Sequence, residues 1–298
     1  MYSFDRRRVN GPENTYPPAY ESTKEAPSPT RRQGRKPHNI RPFVFLKVGL
    51  ITQAHGSAYI ETEKLKIACA VYGPRQNKNS PYTQQGALNV EVKIVPFATK
   101  RRRIPIKDVE DRSLSMQIHQ CLAPSLRLDL FPKSIIDVFI TVLEMDGEAS
   151  CIASGSIAAS AALADAGIEM FGLVAACSAC TFPSPSRDGG GSSHPPRNDD
   201  DTTRMDEDDQ ADHHWKGVWL DPNEEEGSLA SGTVVMACMP ALGTVTNLKQ
   251  SGCMTSVQVS SCLELCMKQC ADIHLVISKT LLESARARQV ASTPAEKA

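Results

Sequence analysis

The pattern of apolar and polar positions divides the chain near residue 40. Before it, Pro12, Pro17, Pro18, Pro27, Pro29 and Pro37 recur among polar residues, and no apolar run could build a core. Residues 1–39 are expected to be a disordered, Pro-rich arm. From Ile40 short apolar runs begin. Residues 43–50, 56–61 and 65–72, separated by polar or Gly-containing breaks, are spaced as the strands of an antiparallel meander. Leu88, Val90, Val92 and Ile94 alternate with Asn89, Glu91 and Lys93, which predicts a half-buried strand. Leu114, Ile118, Cys121 and Leu122 then recur at three- and four-residue steps behind Glu110 and Asp111, which predicts a helix with acids at its positive end. Residues 134–145 read as a buried strand, 152–166 as a helix of small residues able to approach a sheet closely, and 171–180 as a strand.

Residues 183–214 interrupt this rhythm. They open on Pro, Ser and Gly and turn acidic from Asp199 to Asp212. A structureless stretch of this length inside a domain indicates an insertion, and strand signals resume at 216–221. A hairpin over 233–239 and 244–249 follows. The last helix opens on Thr255-x-x-Gln258, a capping-box pattern. Its apolar stripe runs through Val259, Cys262, Leu263, Cys266, Cys270, Ile273, Ile277 and Leu281. Strands followed by helices, twice over, predict an α+β fold of mixed sheets packed with helices. It is expected over residues 40–285, with a disordered acidic insertion at 183–214 and a disordered tail at 286–298.

The 298 residues carry 33 Lys plus Arg against 34 Asp plus Glu, which excludes a uniformly basic nucleic-acid binder but leaves room for a local patch. The arm has a basic excess, suited either to solvation or to contact with RNA or a partner. The longest small-apolar stretch, 151–164, falls short of the ~20 residues of a membrane span. No apolar block follows Arg6–Arg8, so a soluble, intracellular chain is expected. Of the ten cysteines, Cys262, Cys266 and Cys270 share one helix face, where free Cys packs as a small hydrophobe. Cys177 and Cys180 form a lone C-x-x-C without the further ligands that zinc wants. Reduced core thiols are expected, and no metal. Neither a Ser-His-Asp triad nor a nucleotide-binding Gly loop is present, and no cofactor is implied.

Several segments together resemble one family. Ile40-Arg-Pro42 with Gly49-Leu-Ile-Thr-Gln-Ala-His-Gly-Ser-Ala-Tyr-Ile-Glu61, then Ala70-Val-Tyr-Gly-Pro-Arg75, is similar to the opening of the RNase PH fold in RNA-exosome ring subunits. Leu122-Ala-Pro-Ser125, Phe131-Pro-Lys-Ser-Ile-Ile-Asp-Val-Phe139, Ala164-Asp-Ala-Gly-Ile-Glu-Met170 and Asp221-Pro-Asn-Glu-Glu-Glu226 follow in the family's order. The set spans about residues 40–285. The triple arginine Arg101-Arg-Arg103 and the insertion before the Leu-Asp-Pro strand resemble the mRNA-transport-regulator type of ring subunit, a non-catalytic member.

The resemblance implies a family whose active members use inorganic phosphate to attack the 3′-terminal linkage of RNA. Their phosphate cradle is a Gly-Thr-Arg-like or Gly-Ser-Arg-like turn opening a helix, where free N–H groups and the helix dipole favour an anion. Here the corresponding turn is Asp146-Gly-Glu-Ala-Ser150. Glu148 places a like charge against phosphate, which at ~4 Å and an effective dielectric near ~20 costs about 4 kcal/mol. The acid of active members aligns with Thr233, and residues 230–239 contain no acid at all. The resemblance thus implies a structural ring subunit that supports 3′-to-5′ RNA processing without catalysis. The alternative is an active phosphate-dependent exoribonuclease. RNA contact is expected at Lys100, Arg101, Arg102, Arg103 and Arg112, and also at Arg75, since guanidinium forks suit phosphate. A bond to a neighbouring subunit and plain solvation are the other readings of this basic loop. The implied partners are other RNase PH-like subunits in a six-membered ring, cap subunits, RNA and a separate nuclease. The implied compartments are nucleus, nucleolus and cytoplasm.

Overall fold

A computed structural model describes residues 35–76, 82–100, 102–103, 109–182 and 217–292. Two sheets are held together by one helix. The first sheet contains β1 (Phe45–Val48), β2 (Gly56–Thr62), β3 (Leu65–Gln76), β4 (Ala87–Ile94) and β5 (Ser134–Glu144), in the order β1-β2-β3-β5-β4. The first three form the expected antiparallel meander. β4 does not extend it. The helix α1 (Val109–Leu122) carries the chain across, so β5 enters between β3 and β4, antiparallel to the first and parallel to the second. Parallel neighbours require such a crossover. The alternation of β4 survives intact, with Leu88, Val90, Val92 and Ile94 buried.

The second sheet contains β6 (Ala175–Thr181), β7 (Val218–Leu220), β8 (Gly232–Met239) and β9 (Thr244–Gly252), in the order β7-β6-β8-β9 and antiparallel throughout. Between the sheets runs α2 (Glu148–Asp165), touching β2 and β3 on one side and β6 and β8 on the other. This accounts for its sequence. A helix buried on every side has no polar face to show, and Ser150 through Leu163 are all buried. Small residues let both sheets close in: a Cβ on Gly56 would stand 2.3 Å from the carbonyl oxygen of Ala162.

The other side of the second sheet is covered by the last long helix, Ser256–Ser292. Its predicted capping box is formed. The Gln258 N–H donates to Thr255 Oγ1 at 3.4 Å, and the Thr255 N–H donates to Gln258 Oε1 at 2.9 Å. Cys262, Cys266, Cys270, Ile273 and Ile277 are its buried stripe. The helix runs through Ser292, past the expected start of the tail at 286, and Arg288 pairs with the side chain of Asp165. At the other end, the fold already includes residues 35–39, because the Leu220 N–H donates to the Pro37 carbonyl at 2.9 Å. Residues 1–34, 183–216 and 293–298, which hold most of the expected arm, the acidic insertion and the end of the tail, lie outside the described residues.

A short helix at Glu224–Leu229 was not expected. It is called α3 here, and the long C-terminal helix α4. Its signal stood in the sequence as Asn223-x-x-Glu226, a capping box that the structure forms on both sides. All ten cysteines are free thiols, nine of them buried and only Cys253 exposed. Burial pushes Cys262 up to about 11 and Cys151 up to about 12, holding both protonated at neutral pH.

Candidate functional site: a charged cleft at the start of the central helix

The first turn of α2 opens onto a cleft of about 630 Å³, walled by the start of α1, by α3, and by β8 and β9. Gly147 turns the chain into the helix at φ +88°, a left-handed conformation that favours glycine. No side chain caps the helix there. Glu148 and Thr233, the two positions at which the resemblance marks departures from the active members, both line this one cleft, together with Arg103.

The charges of the cleft pair with one another. Lys249 on β9 reaches across to Glu148, Nζ to Oε1 2.5 Å, and Arg103 pairs with Glu110 on the first turn of α1 at 2.5 Å. Sequence reading missed Lys249, because only the β8–β9 register brings it to α2. Its presence revises the expected repulsion. Glu148 is half exposed and neutralised by Lys249, so the like-charge cost at an incoming anion falls below the bare ~4 kcal/mol. What Glu148 does instead is occupy the cation that would otherwise face the helix terminus.

Beneath the cleft lies a buried ion cluster. The guanidinium of Arg41, 2% exposed, pairs with Asp146, bonds Asp221 through Nε at 2.7 Å and Nη2 at 2.6 Å, and donates to Ser150 Oγ at 2.8 Å. Burial works against its charge, but the hydrogen bonds and charge of Asp221, followed by those of Asp146, outweigh this and raise its pKa. Burial likewise pushes Asp221 up, yet bonding to Arg41 holds it below the ordinary carboxylate value. Arg35 adds ion pairs to Asp221 at 3.8 Å and Glu226 at 3.9 Å. The N-terminal strap thus clamps the turn before α2 to the turn before α3, fixing two walls of the cleft.

The basic loop sits at the rim. Lys100 pairs with Glu224 and Glu225 of α3 at 3.3 and 3.5 Å. Burial works against its charge, but the two carboxylates raise its pKa. Arg102 is exposed, Arg103 is half-buried in the cleft, Arg112 is exposed on α1, and Arg101 lies outside the described residues. Arg75 is elsewhere. It pairs with Asp137 near the start of β5, whereas the loop meets the far end of that strand, where the Met145 N–H donates to the Ala98 carbonyl at 3.0 Å. About eight residues of strand, roughly 26 Å, separate the two. Among the described residues no group of three or more His, Cys, Asp or Glu could hold a metal ion, and no helix is long and apolar enough to cross a membrane.

Comparison with known proteins defines the class. Residues 40–169 match the 3′ exoribonuclease family, domain 1, known as RNase PH. The chain is 35% identical over 280 residues to the exosome complex component mtr3 of Schizosaccharomyces pombe, covering 93% of this chain and 96% of that one. It is 31% identical over 305 residues to exosome complex component MTR3 of Homo sapiens, covering 97% and 99%. It is also 35% identical over 240 residues to the archaeal Rrp41 of Pyrococcus furiosus, covering 80% and 82%. The crystal structure of rice Rrp46 superposes with a TM-score of 0.65 at 20% identity, over 84% of this chain and all of that one. The chain belongs to the RNase PH family. Relatives that match nearly its whole length include Mtr3 components of the exosome.

Proposed function

We propose that this protein is a non-catalytic wall of an RNA-exosome ring. It stands among other RNase PH-like subunits, supports 3′-to-5′ RNA processing and degradation, and works in nucleus, nucleolus and cytoplasm. The observation that carries the silent reading is the Glu148–Lys249 pair at the mouth of α2. The side chain at the helix terminus is an acid, and the cation nearest to it is already engaged. Opposite stands Thr233, whose hydroxyl can neither hold a magnesium ion as a carboxylate does nor act as a general acid near neutral pH. Near-full-length similarity to Mtr3 components supports the ring reading.

RNA contact is assigned to the loop and α1 face carrying Lys100, Arg101, Arg102, Arg103 and Arg112. Lys100 and Arg103 already have acidic partners, so phosphate must compete for them, and the contact is a weak, sequence-blind one. The test is affinity capture of the tagged chain from cells. RNase PH-like subunits should co-purify in stoichiometric amount, with cap subunits and a nuclease. A tagged chain recovered as a monodisperse monomer would end the ring reading.

A further inference from the structure

Where the N-terminal strap, both sheets and α2 meet, the fold encloses a cavity of about 30 Å³. Thr62 at the end of β2, Ser154 of α2 and Ser178 of β6 bring three hydroxyls to its wall, and Arg41 and Asp221 of the buried ion cluster border it. Thr62 stands where the alternation of the strand calls for an apolar side chain, closing the buried row Ala58, Ile60, Thr62. Ser178 interrupts β6, every residue of which is buried. Thr62 is 6% exposed and Ser178 2%, yet neither Oγ1 of the one nor Oγ of the other has a hydrogen-bond partner in the protein. The large majority of buried polar side-chain atoms are bonded, because an orphaned hydroxyl keeps the full cost of leaving water. The rest of the wall cannot help, since Ile40, Phe43, Ile157 and Ile273 are hydrocarbon. The partner of both hydroxyls must therefore come from inside the cavity.

Size and charge decide what that partner is. One water needs ~10–15 Å³, so the space holds about two waters and nothing as large as a phosphate or a nucleotide. A cation would lie beside the buried guanidinium of Arg41, whose charge is already balanced by Asp146 and Asp221. An anion would meet the carboxylate of Asp221. The occupant is therefore neutral, small and able both to donate and to accept, as each hydroxyl around it can. Water, with its two to four hydrogen bonds to a polar wall, meets all of these conditions.

We propose that this cavity is a binding site for buried water, about two molecules that bridge Thr62 to Ser178 past Ser154. The bridge ties the first sheet to the second across α2. It also lies against Asp221, and water reaching a buried ion cluster lowers the cost of its burial. The inference concerns how the walls of the cleft are held and stands apart from the ring reading.

The test is a high-resolution crystal structure of the full chain, in its assembly if solubility demands it, joined to a double-mutant cycle read as the thermal midpoint. In the wild type, density should show ordered oxygens within hydrogen-bond distance of Thr62 Oγ1 and Ser178 Oγ, and these should be lost in T62V/S178A. Thr62→Val keeps the shape of the side chain, and Ser178→Ala removes only the hydroxyl. Each single change should lower the midpoint. The double variant should lose less than the sum, because hydroxyls that share a water are coupled although they do not bond each other. A dry cavity in the wild type would overturn the proposal, and so would substitutions that are additive and either neutral or stabilising, the behaviour of orphaned hydroxyls. Density in which both hydroxyls bond directly to protein atoms would overturn it as well. An anomalous peak in the cavity of crystals soaked in a rubidium salt would overturn water as the occupant.

Discussion

Arg41 shows how one side chain can hold a site together without touching a ligand. Its guanidinium is buried, shared by Asp146 and Asp221, and bonded to Ser150 at the head of α2. Removing one member of such a cluster leaves an uncompensated buried charge, which typically costs about 3–5 kcal/mol. Arg41→Met should therefore unfold at distinctly lower denaturant, a loss of that order by equilibrium unfolding. The same cluster sets an acid limit. Asp221 has a folded pKa below its unfolded value, so its contribution is fully present above the unfolded value near ~3.9 and is lost as pH falls through the lower, folded one. Wild-type melting temperature should fall steeply below about pH 4, and Asp221→Asn, already destabilised, should show a shallower fall in that window. Equal acid slopes in the two proteins would mean that other carboxylates dominate.

Among the elements, α2 imposes the strictest demands, because both sheets rest on it. Gly56 lies where β2 meets its end, and an added Cβ would strike the Ala162 carbonyl and the Ala166 backbone. Gly56→Ala should cost about 1–3 kcal/mol as an overpacking change, read as a lowered denaturation midpoint. The acidic segment should behave oppositely. Phe182 and Gly217, its flanks, are joined by a backbone hydrogen bond of 3.1 Å, and Phe182 packs on Trp219 at 4.3 Å. Replacing residues 186–212 by a few Gly and Ser should preserve assembly and leave stability unchanged or raised by up to about 2 kcal/mol, since a shorter loop closes at less entropic cost. Loss of a partner on this replacement would show the segment to be a binding element.

Local patterns made much of this scale legible. The period-two alternation of β4, the small-residue run of α2, the cysteine stripe of α4 and its capping box all read directly, because each is determined within a few residues. Pairing did not. That β5 would enter between β3 and β4, or that β9 would carry Lys249 to Glu148, depends on strands far apart in sequence. The site was half readable for the same reason. Glu148 and Thr233 came from motif order, and Arg41, Asp146 and Asp221 stood inside quoted motifs, but their meeting, like the reach of Lys249, depends on long-range contacts. The helix α3 is different, since its Asn223/Glu226 box is a local signal, masked by the neighbouring acids of the Leu-Asp-Pro segment.

At the scale of the whole molecule, the described elements cover one sheet on both faces and the other on one. On the ring reading, the chain alone should self-associate or lose solubility, while co-expression with a family partner should give a stable dimer. The RNA contact proposed for it belongs to the basic loop at the cleft rim. Replacing Arg101, Arg102 and Arg103 together should weaken RNA binding without changing base preference. It should also make the salt dependence shallower, by about 0.7 for each single-strand phosphate that the arginines no longer neutralise. An unchanged salt slope would assign that loop to a subunit interface.

The central claim is that the cleft at the head of α2 performs no chemistry, and it is tested most directly by phosphorolysis. The purified chain with its RNase PH-like partner, free of active subunits, is incubated with single-stranded RNA, inorganic phosphate and magnesium, and nucleoside diphosphates are measured. None should be released, either by the wild type or by Thr233→Asp, in which Glu148 still engages Lys249 beside the helix terminus. Phosphate-dependent release of diphosphates by the unaltered protein would contradict the account.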